Sequence, residues 1–154
     1  MHGNGFPPEA YTSLLENLSE ELNIYAMYQK PFCETKINPT SINGWGIFKN
    51  DFIRFLEENN LKDSIAIGHS MGAVIILLTI IENPKIFKKI FLLDPVITSP
   101  IKSLIYKFLL KTGLIDKIHP MIKRTNKKKM KYKNKDEIFN SYRQKKIFSK
   151  IDDE

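Results

Sequence analysis

"SIAIGHSMGAVIILL", residues 64–78, sets a serine between two glycines, behind a short β-branched run and ahead of a long apolar one. The run at 64–67 reads as a buried strand, and Met71 to Glu82 as a helix that is apolar on nearly every side and stops near Pro84. Gly68-His69-Ser70-Met71-Gly72 therefore has G-x-S-x-G spacing at a strand-to-helix turn, the context that motif requires. A serine at so sharp a turn has strained backbone angles, so its flanking positions have to be glycine or very small. The turn lifts the hydroxyl above the sheet. The helix behind it presents unpaired N–H groups and a positive dipole end to a developing oxyanion. The competing reading is a tight structural turn that happens to contain serine.

Outward from this stretch, helix and strand periods alternate. Pro7-Pro8-Glu9 opens a segment whose Tyr11, Leu14, Leu15, Leu18 and Leu22 keep helical spacing, and "NIYAMY" at 23–28 reads as a short buried strand ended by Pro31. Thr40 and Ser41 are capping residues for a second stripe of Trp45, Phe48, Phe52, Phe55 and Leu56. "KIFLLDPV" at 89–96 is the third strand. Strands separated by helices of this length predict an α/β fold with a parallel sheet flanked by helices. After Pro95 the pattern changes: Ile101, Leu104, Ile105, Phe108 and Leu109 predict one amphipathic helix, Ile138, Phe139, Tyr142 and Ile147 another, and no strand is expected. The boundary this implies separates residues 1–96 from a helical, basic segment at 97–154.

Composition limits the classes open to the chain. With 154 residues, 42% of them apolar, there is enough to bury a single core. One cysteine, Cys33, makes no internal disulfide. The opening MHGNGFPPEAY lacks the marks of a secretory signal, and the longest apolar stretch, Ala73 to Ile81, is too short to span a bilayer. A cytoplasmic location is the expectation. Residues 1–100 hold 8 Lys+Arg against 11 Asp+Glu, whereas residues 101–154 hold 16 against 6, so the net charge of +7 resides entirely in the last third. The run "KRTNKKKMKYKNK" at 123–135 has the charge to contact phosphates, although such runs are ordinarily solvated faces and Met130 and Tyr132 are too few to stack bases. No nucleic-acid partner is expected. Three histidines without paired spacing and a lone cysteine predict no metal, and neither glycine cluster has a phosphate-cradling or dinucleotide spacing, so no cofactor is expected.

"HGNGFP" at 2–7 is a second glycine-rich loop directly before a helix. Acyl-transfer sites draw one N–H donor from such a loop and another from the residue after the nucleophile. Taken alone, Gly-Asn-Gly is ordinary turn chemistry. With "GWGIFKNDFIRFLEENN" leading into "IAIGHSMGAV" and "IFLLDPV" after it, the chain resembles an α/β-hydrolase fold protein of the esterase, lipase and haloperoxidase-like group over residues 2–96. The resemblance implies Ser70 as nucleophile, the N–H groups of Met71 and Asn4 as oxyanion donors, and Gly3, Gly5, Gly68 and Gly72 as the glycines of the two loops. It implies that the helical stretch after Pro95 is similar to the cap many of these proteins carry. His69 reads as packing beside the nucleophile.

The chain departs from the family pattern in one respect above all. The triad of this fold runs Ser, acid, His in chain order, and His119 is the one histidine after Ser70. It lies in the cap-like segment with no strand before it. Asp94, at the end of a predicted strand, is the acid candidate. Because α/β sheets of this kind commonly need roughly 200–250 residues, the chain reads as the middle of such a protein, expected to lack the first strands and the final strands with the catalytic histidine, and so to show little turnover on its own. The expected activity of the whole is hydrolysis of a small carboxylic ester or related acyl compound. Two alternatives stand beside it: an acyltransferase, thioesterase or haloperoxidase-like relative using the same serine, and a non-catalytic hydrolase-like module whose basic third binds an anionic partner.

Overall fold

A computed structural model describes residues 1–33, 38, 41–42, 44–115, 125, 127, 129, 131–146 and 148. They fall into two units, Met1–Thr98 and Ser99–Glu154. In the first, a 3-10 turn at Pro8–Tyr11 leads into helix α1, Thr12–Ser19, followed by a second 3-10 turn at Lys30–Phe32 and by α2, Gly46–Glu58. Strand β1, Ser64–His69, helix α3, Met71–Glu82, and strand β2, Phe87–Leu93, complete it. β1 and β2 pair in parallel, with His69 opposite Leu93 and one register irregularity between Ser64 and Ile65.

Helix α3 is the centre of the core. Ala73, Ile75, Ile76 and Thr79 are wholly buried, as expected of a helix apolar on all sides, and the Thr79 hydroxyl is satisfied by donating to the Ile75 carbonyl at 2.8 Å. Phe48, Phe52 and Leu56 of α2 and Ala66 of β1 join it, and Phe52 stacks on Phe87 with ring centroids 5.9 Å apart. Met1 extends the sheet on the far side of β1: its N donates to the Ile67 carbonyl at 2.7 Å and its carbonyl accepts from His69 N at 3.1 Å. These are the two bonds one residue makes in a parallel ladder.

Three boundaries differ from those expected. Residues 23–28 pair with no strand among the described residues, and the next amide, Gln29 N, goes to a side chain, His2 Nε2. α2 begins at Gly46 rather than at Thr40 or Ser41: the Ser41 hydroxyl donates to the Asn38 carbonyl at 2.8 Å and so does not cap, while Thr40 lies outside the described residues. β2 stops at Leu93, two residues before Pro95, because Asp94 turns into the left-handed region with φ 46°. After Val96 the described residues form no strand, as expected.

In the second unit, helix α4, Pro100–Lys111, starts on a Ser99 side-chain cap, with Pro100 in its first turn. It ends in a Schellman turn: Gly113 has φ 69°, Gly113 N donates to the Leu110 carbonyl and Leu114 N to the Leu109 carbonyl. Helix α5, Lys135–Arg143, is capped by the Asn134 side chain, which accepts from Glu137 N at 2.9 Å. Among the described residues no helix is long and apolar enough to cross a membrane.

Candidate active site

Ser70 is the single residue between β1 and α3, with φ 51° and ψ −113°. An L-residue avoids those angles, and holding one there costs about 1–3 kcal/mol. Its backbone is fixed at both ends: Ser70 N donates to the Leu93 carbonyl at 2.9 Å, and its carbonyl accepts the first helical bond, from Val74 N, at 3.3 Å. The Ser70 hydroxyl has no hydrogen-bond partner among the described residues.

The two glycines of the motif are required for separate reasons. A Cβ on Gly68 would stand 2.7 Å from Ala73 N and 2.8 Å from Ala73 Cα, so the strand end would collide with the first turn of α3. A Cβ on Gly72 would stand 2.3 Å from the Met1 carbonyl oxygen and 2.7 Å from that of His2. The chain at Met1-His2 therefore runs directly against the start of α3. The glycine-rich loop that follows begins there.

That loop closes as a β-turn in which Phe6 N donates to the Gly3 carbonyl at 3.2 Å, with Gly5 at φ 80° in the position that favours glycine. The turn bond leaves the N–H of Asn4 uncommitted, and Met71, in the first turn of α3, likewise has an N–H with no acceptor among the described residues.

Gly3 N donates to the Tyr11 hydroxyl at 3.0 Å, and that hydroxyl lies 2.7 Å from His69 Nδ1. Tyr11 and Phe6 both meet the His69 ring edge-on, at 5.9 and 6.4 Å. His69 is thus a packing and hydrogen-bonding link between loop and elbow.

His2 holds the loop from the other side. Its Nδ1 lies 2.9 Å from the Gly3 carbonyl, Gln29 N donates to its Nε2 at 3.0 Å, and Gln29 Nε2 donates to its carbonyl at 2.6 Å. This pattern is that of a neutral ring with its proton on Nδ1. Burial pushes the His2 imidazole below its usual value near 6.5, outweighing the upward pull of the Gly3 carbonyl. Behind Gln29, Lys30 Nζ sits 2.9 and 2.8 Å from the two carboxylate oxygens of buried Asp51, and Arg54 reaches the first of them at 2.7 Å. Loop, extended segment and α2 are tied in sequence.

The end of β2 repeats the geometry of β1. Asp94 follows Leu93 as Ser70 follows His69, both at positive φ, so the two occupy successive register positions at the carboxyl ends of neighbouring parallel strands. In open α/β sheets ligands bind in the crevice outside those ends. His119 lies outside the described residues. A cavity of about 500 Å³ lies between α1, the segment at 22–27 and β1, lined by Leu14, Leu18, Ile65 and Ile67 among others; His69 and Leu93 border it and Ser70 does not. Among the described residues no group of three or more His, Cys, Asp or Glu is placed to hold a metal ion.

A sequence profile of the serine aminopeptidase family S33 matches residues 2–150. The chain belongs to this family. Its two-stranded parallel sheet with flanking helices is part of an α/β-hydrolase fold. Two curated relatives of this S33-family chain are similar to it in part. Ethanol acetyltransferase 1 of Hanseniaspora uvarum is 40% identical over 45 residues, 29% of this chain and 14% of that protein. The Bacillus subtilis (strain 168) protein named uncharacterized hydrolase YugF is 28% identical over 93 residues, 60% of this chain and 34% of its own length. The chain thus spans 34% or less of these relatives. Tyr11, Gln29 and the supporting role of His2 are what sequence reasoning missed around Ser70; their partners lie 58 and 27 residues away, where no local period reports them.

Proposed function

We propose that this chain carries the nucleophile and the oxyanion donors of an enzyme that hydrolyses small carboxylic esters or related acyl compounds. The observation that carries the reading is Ser70, held at φ 51° between β1 and α3 with both neighbouring glycines packed too closely for any Cβ. In the proposed reaction the Ser70 oxygen attacks the acyl carbonyl, the Ser70 proton passes to a histidine base, and the carbonyl oxygen takes up negative charge between the N–H groups of Met71 and Asn4. Asp94 is assigned as the acid that orients the base, and His119 as the base the sequence offers. The leaving alcohol takes the proton back, and water repeats the cycle on the acyl-serine. Residues 97–154 are read as the cap of this enzyme. Support comes from the family match and from the relative named a hydrolase.

The test is labelling by a fluorophosphonate, which reacts with an activated serine, alongside hydrolysis of p-nitrophenyl acetate and, because of the family's name, an amino-acyl p-nitroanilide. Labelling mapped to Ser70 and lost in Ser70→Ala is the expected result; equal labelling of Ser70→Ala overturns it. His119→Ala, if it leaves the rate unchanged, removes that residue as base. The acetyltransferase relative favours a second reading of the same serine, transfer to an alcohol instead of water. An acyl donor supplied with ethanol then yields ethyl ester rather than free acid.

A further inference from the structure

The glycine-rich loop is tied down almost throughout. Gly3 N donates to the Tyr11 hydroxyl, the Gly3 carbonyl accepts from Phe6 N at 3.2 Å, and His2 is engaged at both ring nitrogens. The exception is the dipeptide Asn4-Gly5, at the two central positions of the turn. Both residues are exposed. Neither the Asn4 side-chain amide nor the Gly5 N–H has a hydrogen-bond partner among the described residues. Gly5 stands at φ 80°, and nothing lies within 4 Å of where its Cβ would be. Other asparagines are differently placed: the side chains of Asn17, Asn59 and Asn134 bond to backbone, and Leu18, Asn60 and Lys135 follow them.

That setting favours one reaction of asparagine. The main-chain nitrogen of the following residue can close a five-membered ring on Asn4 Cγ, a step that a side chain or a hydrogen bond at that nitrogen ordinarily hinders. Gly5 supplies neither, and without a Cβ it lets the shared peptide plane rotate toward Cγ. Solvent hydroxide takes the Gly5 N–H proton, and the Gly5 nitrogen bonds to Cγ. The Cγ–Nδ2 bond breaks, the departing group takes a proton from water, and ammonia leaves as hydroxide is restored. Water then opens the succinimide at Cγ to give aspartate, or at the main-chain carbonyl carbon to give isoaspartate, in which the chain runs through Cβ and Cγ. Either product puts a carboxylate where a neutral amide stood.

We propose that Asn4-Gly5 is a site of spontaneous deamidation and that its conversion shuts down the candidate active site. The site itself rests on the turn alone; the shut-down rests on the reading of Ser70 as nucleophile and of the Asn4 N–H as oxyanion donor. A carboxylate on residue 4, ionised at neutral pH, opposes the negative charge that the acyl oxygen takes up beside it. Isoaspartate also adds a carbon to the main chain, which lengthens the turn closed by Phe6 N and moves the donor. The chain thereby carries a limit on its own working life, set at the loop and not at the serine.

The full chain is incubated at mildly alkaline pH and sampled over days. Peptide mass spectrometry and methylation by an isoaspartyl methyltransferase locate the products, and the rate at which fluorophosphonate labels Ser70 is taken on the same samples. Expected is conversion of Asn4 to a mixture of aspartate and isoaspartate, read apart from the second Asn-Gly pair at Asn43-Gly44. Labelling falls in step, to roughly a hundredfold slower in converted chains, the order of loss when an oxyanion donor is removed. Asn4→Gln, whose ring has one more member and closes more slowly, neither converts nor loses its own starting rate with time. Asn4 that keeps its amide in the folded chain, while the denatured chain converts, overturns the site. Conversion with a steady labelling rate overturns the shut-down, as does an equal decay of labelling in Asn4→Gln. A fresh chain that does not label at all overturns the shut-down together with the reading of Ser70, and conversion at Asn4 still decides the site.

Discussion

The Tyr11 hydroxyl lies 2.7 Å from Nδ1 of His69, across 58 residues of sequence, while accepting the N–H of buried Gly3 at 3.0 Å. One oxygen therefore joins the start of the glycine-rich loop to the residue before Ser70. Tyr11→Phe keeps the ring and removes both bonds, leaving the Gly3 N–H unpaired. A loss of about 1–2 kcal/mol is expected, read as a lower melting temperature. Labelling of Ser70 slows in parallel, because the loop that carries Asn4 is no longer pinned to the elbow. An unchanged melting temperature together with an unchanged labelling rate excludes this role for Tyr11.

Glycine substitutions separate packing from mere flexibility. Gly72→Ala drives a methyl group to 2.3 Å from the Met1 carbonyl, and Gly68→Ala one to 2.7 Å from Ala73 N, with backbone on both sides and nothing free to swing away. Each is expected to cost several kcal/mol, at or beyond the usual range of about 1–3 kcal/mol for overpacking, and to deplete soluble protein. Gly46, at the start of α2, has open space where its Cβ would go. Gly46→Ala is expected to leave stability unchanged or raise it by up to about 1 kcal/mol. Denaturant midpoints of the three variants make the comparison.

Ser70 trades stability for position. Glycine adopts φ 51°, ψ −113° without the strain serine bears, so Ser70→Gly is expected to raise the melting temperature relative to Ser70→Ala, by an amount equivalent to about 1 kcal/mol. Neither variant labels with fluorophosphonate. Equal melting temperatures for the two place no strain at this residue.

Neutral His2 makes stability depend on pH in a known direction. Burial lowers its folded pKa below the usual value near 6.5, so the unfolded chain takes up a proton that the folded one resists. The contribution is fully present above about pH 6.5 and declines as pH falls from there toward the lowered folded value. In melts from pH 8 down to 5, about the range where histidine changes charge, native protein loses stability more steeply than His2→Gln. Parallel slopes in the two proteins contradict the assignment.

Charge pairs of unlike burial are expected to differ in worth. Asp51 is buried between Lys30 and Arg54, and Asp51→Ala strands a partly buried lysine, with an expected cost of about 2 kcal/mol. Glu58 meets Arg54 only at 4.0 Å, with both side chains largely exposed. Glu58→Ala is expected to cost less than about 0.5 kcal/mol. Urea midpoints of the pair of variants distinguish the two cases.

The unit β1–α3–β2 was legible in the sequence because its signals are local: an apolar strand, glycines at fixed offsets from Ser70, a helix apolar on every side. The position of Asp94 was legible for the same reason, since Asp-Pro ends a strand run. The stretch at 23–28 carries the same apolar signal as β1, yet pairing depends on a neighbouring backbone that composition does not report. Ser41 illustrates a different failure. Its residue type suits a helix cap, but its hydroxyl is spent on Asn38, and Trp45 takes the capping position without a side-chain bond. The link from Tyr11 to His69 is one polar contact and that from Gln29 to His2 two, each between distant segments, and neither leaves a period to read.

The bond from Ser70 N to the Leu93 carbonyl gives the elbow a built-in clock. Amide exchange at Ser70 requires that contact to open, and opening it separates the end of β1 from the end of β2. The amide of the proposed nucleophile is thus expected to exchange on the timescale of the sheet rather than of the surface loops around it. In a native-state exchange experiment that one proton reports, without substrate or probe, how often the serine loses its place.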